Sequence, residues 1–164
     1  MSEAGGRVRR GGTVLFGTLL LVVPLLLALA DEKLGLPRFR TGAASLLAWP
    51  LALASLFLFA DCTRRYRRVS GSGVPLEPPP RLVLSGFYGR CRNPFYLASI
   101  LWLFALFFFF GYAMLLVYAV FLALAFHLVV VFHEEPLLRS RFGEAYERYL
   151  RAVPRWVPRL REPR

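Results

Sequence analysis

Residues 97–132, LASILWLFALFFFFGYAMLLVYAVFLALAFHLVVVF, make 36 consecutive positions without a formal charge and with one histidine, His127. About 20 apolar residues are enough to cross a hydrocarbon core of roughly 30 Å. As a single helix the stretch would be about 54 Å long at ~1.5 Å per residue, far too long for one crossing. Gly111 lies near its middle. Splitting the run there predicts a tight helical hairpin, with arms just long enough to cross or slightly short of it.

Two further apolar segments precede the hairpin. Thr13 to Ala30 and Ala43 to Ala60 are both uncharged, and the second ends at Asp61. Pro24 and Pro50 lie inside them. In a membrane, neighbouring helices can satisfy the carbonyls that a proline frees, so kinks are expected rather than breaks. The first segment follows Arg7, Arg9 and Arg10 and could be a cleaved signal peptide. Against that, it is long for such a core, and Asp31-Glu32-Lys33 follows instead of a small-residue cleavage site. Composition agrees: 57% of the chain is apolar and the mean hydropathy is +0.50, above the roughly 45–50% apolar usage of soluble domains. The expected fold is therefore an all-α polytopic membrane protein of about four transmembrane helices, with a C-terminal hairpin and a cytoplasmic amphipathic helix.

Charge placement sets the expected topology. The net charge of +11 is carried by arginines and the single Lys33. With the N terminus inside, the inner face collects Arg7, Arg9 and Arg10, then Arg64, Arg65, Arg67, Arg68, Arg81, Arg90 and Arg92, then the arginines from Arg139 to Arg164. Lys33, Arg38 and Arg40 remain outside. This positive-inside bias puts both termini in the cytoplasm and fits a bacterial plasma membrane. It also makes anionic lipid, rather than nucleic acid, the partner of the basic residues. Cys62 and Cys91 are the two cysteines, which argues for reduced thiols and against a disulfide framework.

The stretch Ser70 to Pro80, SGSGVPLEPPP, reads as a loop. It divides the chain into residues 1–69, a helix pair serving as anchor, and residues 70–164, where the informative polar groups lie. One cluster precedes the hairpin: Gly86, Tyr88, Arg90, Arg92, Asn93, Pro94 and Tyr96. Another follows it: His127, His133, Glu134 and Glu135, then Phe142, Tyr146 and Tyr149. A hairpin brings such ends together at the inner boundary. Seven residues separate His127 from Glu134, so both are expected on one helix face. A structural histidine, with the glutamates pairing to arginines such as Arg139, is the plainer alternative. Two histidines are too few for a membrane di-iron site, so no metal is expected. Phe142, Tyr146 and Tyr149 fall at helical intervals, as in an amphipathic helix at the interface, with Arg155, Trp156 and Arg159 anchoring the tail at headgroups. No dinucleotide loop, Walker lysine or Ser-His-Asp set is suggested.

Taken in order, Gly71-Ser72-Gly73, Leu82-Val83, Gly86, Tyr88, Arg92-Asn93-Pro94-Phe95-Tyr96, His127, Glu134-Glu135-Pro136, Phe142-Gly143, Tyr146, Tyr149 and Val153-Pro154-Arg155-Trp156 resemble the isoprenylcysteine carboxyl methyltransferase and phospholipid methyltransferase superfamily of membrane enzymes. The resemblance covers roughly residues 71–159. It implies methyl transfer from S-adenosylmethionine, bound at the cytoplasmic edge without a Rossmann fold, to a lipidic carboxylate, amine or thiol. By position it implies cofactor contacts from Leu82, Val83 and Tyr88, from Asn93, Pro94, Phe95 and Tyr96, where relatives often carry His in place of Asn93, and from Glu134 with Glu135. Arg92 would suit the methionine carboxylate, the tyrosines would suit a sulfonium, and His127 is the candidate base. Val130 stands where the prenylcysteine branch carries a substrate-binding arginine, so a prenylcysteine acceptor is doubtful. Two other functions compete: a membrane reductase taking NADPH, as some sterol reductases do, and a non-catalytic membrane scaffold.

Overall fold

The computed structural model describes residues 14–71 and 79–159. Arg7, Arg9, Arg10 and Thr13, residues 72–78 of the proline-rich loop, and Arg161 and Arg164 lie outside the described residues. Among the described residues five helices follow one another: α1 (Val14–Leu34), α2 (Gly42–Ser70), α3 (Pro94–Phe110), α4 (Ala113–Phe142) and α5 (Glu144–Ala152). Among the described residues there is no strand. Helices α1, α2 and α4 are long and apolar enough to cross a membrane. Helix α3, at 17 residues, reaches about 25 Å at ~1.5 Å per residue and is the short arm. The protein is an all-α polytopic membrane protein.

Two compact units are assembled from interleaved segments of the chain: one within Met1–Leu56 and Ala98–Leu124, the other within Phe57–Leu97 and Ala125–Arg164. In the first, Pro24 has no N–H to return to the preceding turn, and the helix widens into a π turn at Thr18–Val22. The freed carbonyls find side chains from the hairpin. The Tyr118 hydroxyl donates to Leu19 O at 2.9 Å and Trp102 Nε1 donates to Leu20 O at 3.0 Å. The kink expected at Pro24 is thus a change of helix type, held by two donors. Pro50 lies just inside the α-helical part of α2, which begins at Ala48 after a 3₁₀ turn over Gly42–Leu47.

The hairpin turn is pinned in the same unit. Gly111 has φ +71°, a left-handed conformation that costs L-residues about 1–2 kcal/mol. Its carbonyl accepts from Phe39 N at 2.8 Å. Buried Asp31 accepts the Met114 N–H at 2.8 Å, capping the start of α4 with a carboxylate from α1. Glu32, Arg38 and Tyr112 hydrogen-bond to one another beside it. Ser55 Oγ donates to Ala98 O at 2.8 Å, a polar tie of the kind small residues allow between membrane helices.

The second unit repeats the proline device. A π turn at Val130–Glu134 lies just before Pro136 inside α4. Here it carries the polar residues of the site.

Candidate functional site

Two segments of the second unit wall one cavity: the end of α2 with the loop that runs from it to Asn93, and α4 with α5. The cavity holds about 130 Å³, or about 830 Å³ when the open space at its mouth is included. Apolar Leu82, Val83, Val130, Leu137 and Leu138 line it, with Tyr66, Tyr88, Tyr146 and Tyr149, and with Arg92, Asn93, His133, Glu134 and Glu135.

The loop is held from behind. Asp61 on α2 accepts Arg65 Nε at 2.8 Å and the Phe87 N–H at 3.2 Å. The Arg65 guanidinium then occupies the place where a Cβ on Gly86 would sit, at 1.9 Å, and Gly86 has φ +64°. That left-handed backbone favours glycine, and any other residue would also displace the Arg65 guanidinium. The 3₁₀ turn Gly86–Gly89 is thereby set, and the buried Tyr88 side chain with it. Tyr149 donates its hydroxyl to Tyr88 O at 2.6 Å. The Tyr88 hydroxyl lies beside the Cys62 thiol without an ordinary hydrogen bond. Burial holds the Tyr88 and Tyr149 hydroxyls well above the usual range and pushes Tyr146 up to about 12, so all three are neutral donors at physiological pH.

The carboxylates divide into two kinds. Glu135 is buried and spoken for: Arg92 Nη1 reaches it at 2.9 Å, and Arg155 donates from Nε at 2.7 Å and Nη2 at 3.1 Å. Glu134 accepts the Tyr96 hydroxyl and makes no ion pair among the described residues. Arg92 Nε is buried without a partner. The plainer pairing of the glutamates with arginines holds for Glu135, through Arg92 and Arg155 and not through Arg139, which pairs with Glu147 at 3.2 Å.

The tail after α5 is part of this construction. Arg92 N donates to Pro154 O at 2.9 Å, Asn93 Nδ2 to Arg155 O at 3.1 Å, and Arg159 N to Arg90 O at 3.0 Å. Residues 153–159 therefore strap the loop that carries Arg92 and Asn93. Sequence reading assigned Arg155 and Trp156 to lipid headgroups. Instead, Arg155 binds Glu135 and Trp156 Nε1 donates to His127 Nδ1 at 3.2 Å. The signal was present as the ordered Val153–Trp156 motif, but the partner of Arg155 is a contact across the fold.

Of the residues picked out from sequence, Leu82, Val83, Tyr88, Arg92, Asn93, Glu134 and Glu135 line the cavity. Pro94, Phe95 and Tyr96 stand behind the wall. Phe95 packs edge-on against Phe59, with ring centroids 5.1 Å apart. Tyr96 packs on Phe126 at 4.6 Å and reaches the cavity through Glu134. His127 is not in the lining, whereas His133 is. The seven-residue spacing put His127 and Glu134 on one face of a regular helix, but the intervening π turn breaks the 3.6-residue register. Tyr66, Tyr146 and Tyr149 were missed as site residues because helical spacing cannot distinguish a lipid-facing aromatic from a cavity-facing one.

Both cysteines are free and buried, and burial pushes the Cys91 thiol up to about 11. Thiolate is the reactive form, so at pH 8 Cys91 is protonated. A thiol alkylating reagent at that pH is expected to leave the folded protein unlabelled at both cysteines and to label both after denaturation, read as a mass shift. Labelling of Cys91 in the folded state would contradict this packing.

Among the described residues, no three His, Cys, Asp or Glu converge as a metal-binding group. Residues 66–145 match the family model described as phospholipid methyltransferase. No curated protein matches the chain.

Proposed function

We propose, from the premise that residues 66–145 belong to the phospholipid methyltransferase family, that this integral membrane protein transfers a methyl group from S-adenosylmethionine to an acceptor dissolved in the membrane. When bound, the cofactor supplies an electrophilic methyl group on a cationic sulfonium. The observation that carries this reading is the charge pattern of the cavity. Arg92 and Arg155 share Glu135, while Glu134 accepts the Tyr96 hydroxyl and has no arginine paired with it among the described residues. Such a lining suits a ligand with an ammonium, a sulfonium and ribose hydroxyls. Tyr66, Tyr88, Tyr146 and Tyr149 offer ring faces to a cation, and the unpartnered Arg92 Nε and Tyr88 hydroxyl are donors for a carboxylate or a base.

The NADPH alternative fits less well, because phosphates need free cations and the arginine of this lining, Arg92, is already held by Glu135. The same argument disfavours a carboxylate acceptor, as does the buried Val130 in the wall, and leaves a lipid amine or thiol. Catalysis rests on positioning and exclusion of water. His133 takes the place of His127 as the imidazole able to accept a proton from the acceptor. The division of labour follows: residues 1–69 anchor, and residues 70–164 carry the chemistry with Tyr66 added from α2. Both termini lie on the cytoplasmic side, supported by the one-sided arginines.

Titration of the protein in nanodiscs with S-adenosylmethionine, its demethylated product and NADPH separates the readings. The first two are expected to bind, and Glu134→Ala to weaken them about 10- to 100-fold, as for lost hydrogen bonds to a charged group. Preferential NADPH binding would overturn the choice, and binding of neither cofactor would sink both. Incubating membranes with methyl-labelled cofactor and identifying the labelled lipid extract then names the acceptor.

A further inference from the structure

Helix α2 presents two faces near its end. Leu58, Cys62 and Tyr66 are buried against the rest of the second unit. The other face, Phe59, Ala60, Thr63, Arg64, Arg67 and Arg68, lines an open groove. Ala60, Thr63, Arg64, Arg67 and Arg68 follow the i, i+3, i+4, i+7, i+8 pattern of one helical stripe, with Phe59 at its edge. Arg64, Arg67 and Arg68 are exposed, and none has an ion pair among the described residues; the nearby carboxylate, Asp61, is taken by Arg65.

Depth in the bilayer says what meets this face. The uncharged part of α2, from Gly42 to Ala60, spans about 32 Å at ~2.0 Å per residue in its 3₁₀ turn and ~1.5 Å beyond it, close to the ~30 Å hydrocarbon thickness. Arg64 then stands about 6 Å beyond the hydrocarbon edge, and Arg67 and Arg68 about one turn further, with side chains long enough to reach back. That is the level of lipid phosphates. Phe59 and Ala60 continue the stripe into the acyl region. A second copy of this chain is a poor occupant, because each copy carries +11.

We propose that the Arg64–Arg67–Arg68 face of α2 binds one anionic phospholipid, its phosphate among the three guanidinium groups and an acyl chain along Phe59 and Ala60. Arginine is suited to this role because its fork pairs two donors with phosphate oxygens. The site lies outside the cavity and does not depend on the methyltransferase reading.

The test uses the full chain released from nanodiscs of mixed phosphatidylcholine and phosphatidylglycerol, with retained lipid counted by native mass spectrometry. The unmodified protein is expected to keep one phosphatidylglycerol in preference to phosphatidylcholine. R64Q/R67Q/R68Q is expected to lose that preference by about fivefold for each arginine, on the scale of a basic residue at a lipid surface. The single change R67Q gives one such step, and R139Q/R148Q, which removes two exposed arginines elsewhere, leaves the preference intact. Circular dichroism checks that helix content is equal throughout. Unchanged retention in the triple variant, or equal loss in R139Q/R148Q, would overturn the site. So would displacement of the lipid by a short oligonucleotide, or a mass showing that a second copy occupies the face.

Discussion

Glu135→Ala is expected to lower folding stability by about 3 kcal/mol and to abolish measurable cofactor binding. Glu135 and Arg92 have side chains only 8% and 11% exposed, 2.9 Å apart, and breaking a buried ion pair by removing one partner costs roughly 3–5 kcal/mol. The lower end applies because Arg155, the other partner, is about one-third exposed and can turn to water. Arg92 cannot. Its Nε is already without a partner, and losing Glu135 would strand the whole guanidinium in the cavity wall. Thermal unfolding in detergent, followed by tryptophan fluorescence, reads the stability change, and cofactor titration reads the second effect. The double variant R92M/E135M separates them. An apolar replacement of both partners is commonly neutral or stabilising, so it should recover the unfolding midpoint without recovering binding. Recovery of both would mean that the pair serves only the fold. An unchanged midpoint in Glu135→Ala would mean that the pair is solvated.

Gly111→Ala should be nearly as damaging, by about 3 kcal/mol, without touching the cavity lining. A Cβ at this position would lie 2.4 Å from Phe39 O, a backbone atom with little freedom to move. The left-handed backbone adds about 1–2 kcal/mol for any L-residue. Relieving the clash would pull apart the bond from Phe39 N to Gly111 O, leaving a backbone group unpaired at an additional cost of about 1–3 kcal/mol. Gly17 is the matched control: it is a helical glycine with nothing within 4 Å of an added Cβ. Gly17→Ala should be neutral or slightly stabilising, since alanine is the better helix former by about 1 kcal/mol. If the two alanine variants unfold at the same midpoint, the turn is not held by this contact.

The cluster at the cavity was legible to different depths. Tyr88, Arg92, Asn93, Glu134 and Glu135 could be picked out because a hairpin must return its ends to the same side, and because polar side chains beside hydrocarbon need a reason to be there; Leu82 and Val83 came only from the family resemblance. His127 met the same criteria and lies elsewhere. Its position relative to Glu134 depended on every intervening turn being regular, and the π turn at Val130–Glu134 is not. A proline two residues after the turn hinted at irregularity, but a kink, a 3₁₀ turn and a π turn all accommodate a missing N–H. Tyr146 and Tyr149 illustrate the same limit: an amphipathic stripe states that one face is covered and leaves open by what.

Sequence alone determined the class of the protein, because bilayer thickness turns run length directly into membrane helices, and the break at Gly111, because no 36-residue run makes a single crossing. It also determined where the arginines fall along the chain, which is a count. Tertiary structure decided which polar groups are free to act. Arg92, Arg155 and Glu135 are three residues from three segments, and each could have faced a ligand. Only their meeting within 3.1 Å shows that Glu135 is consumed by structure while Glu134 is not. Ion pairs and hydrogen bonds depend on distances of a few tenths of an ångström between residues far apart in the chain, and spacing along the chain carries no such information.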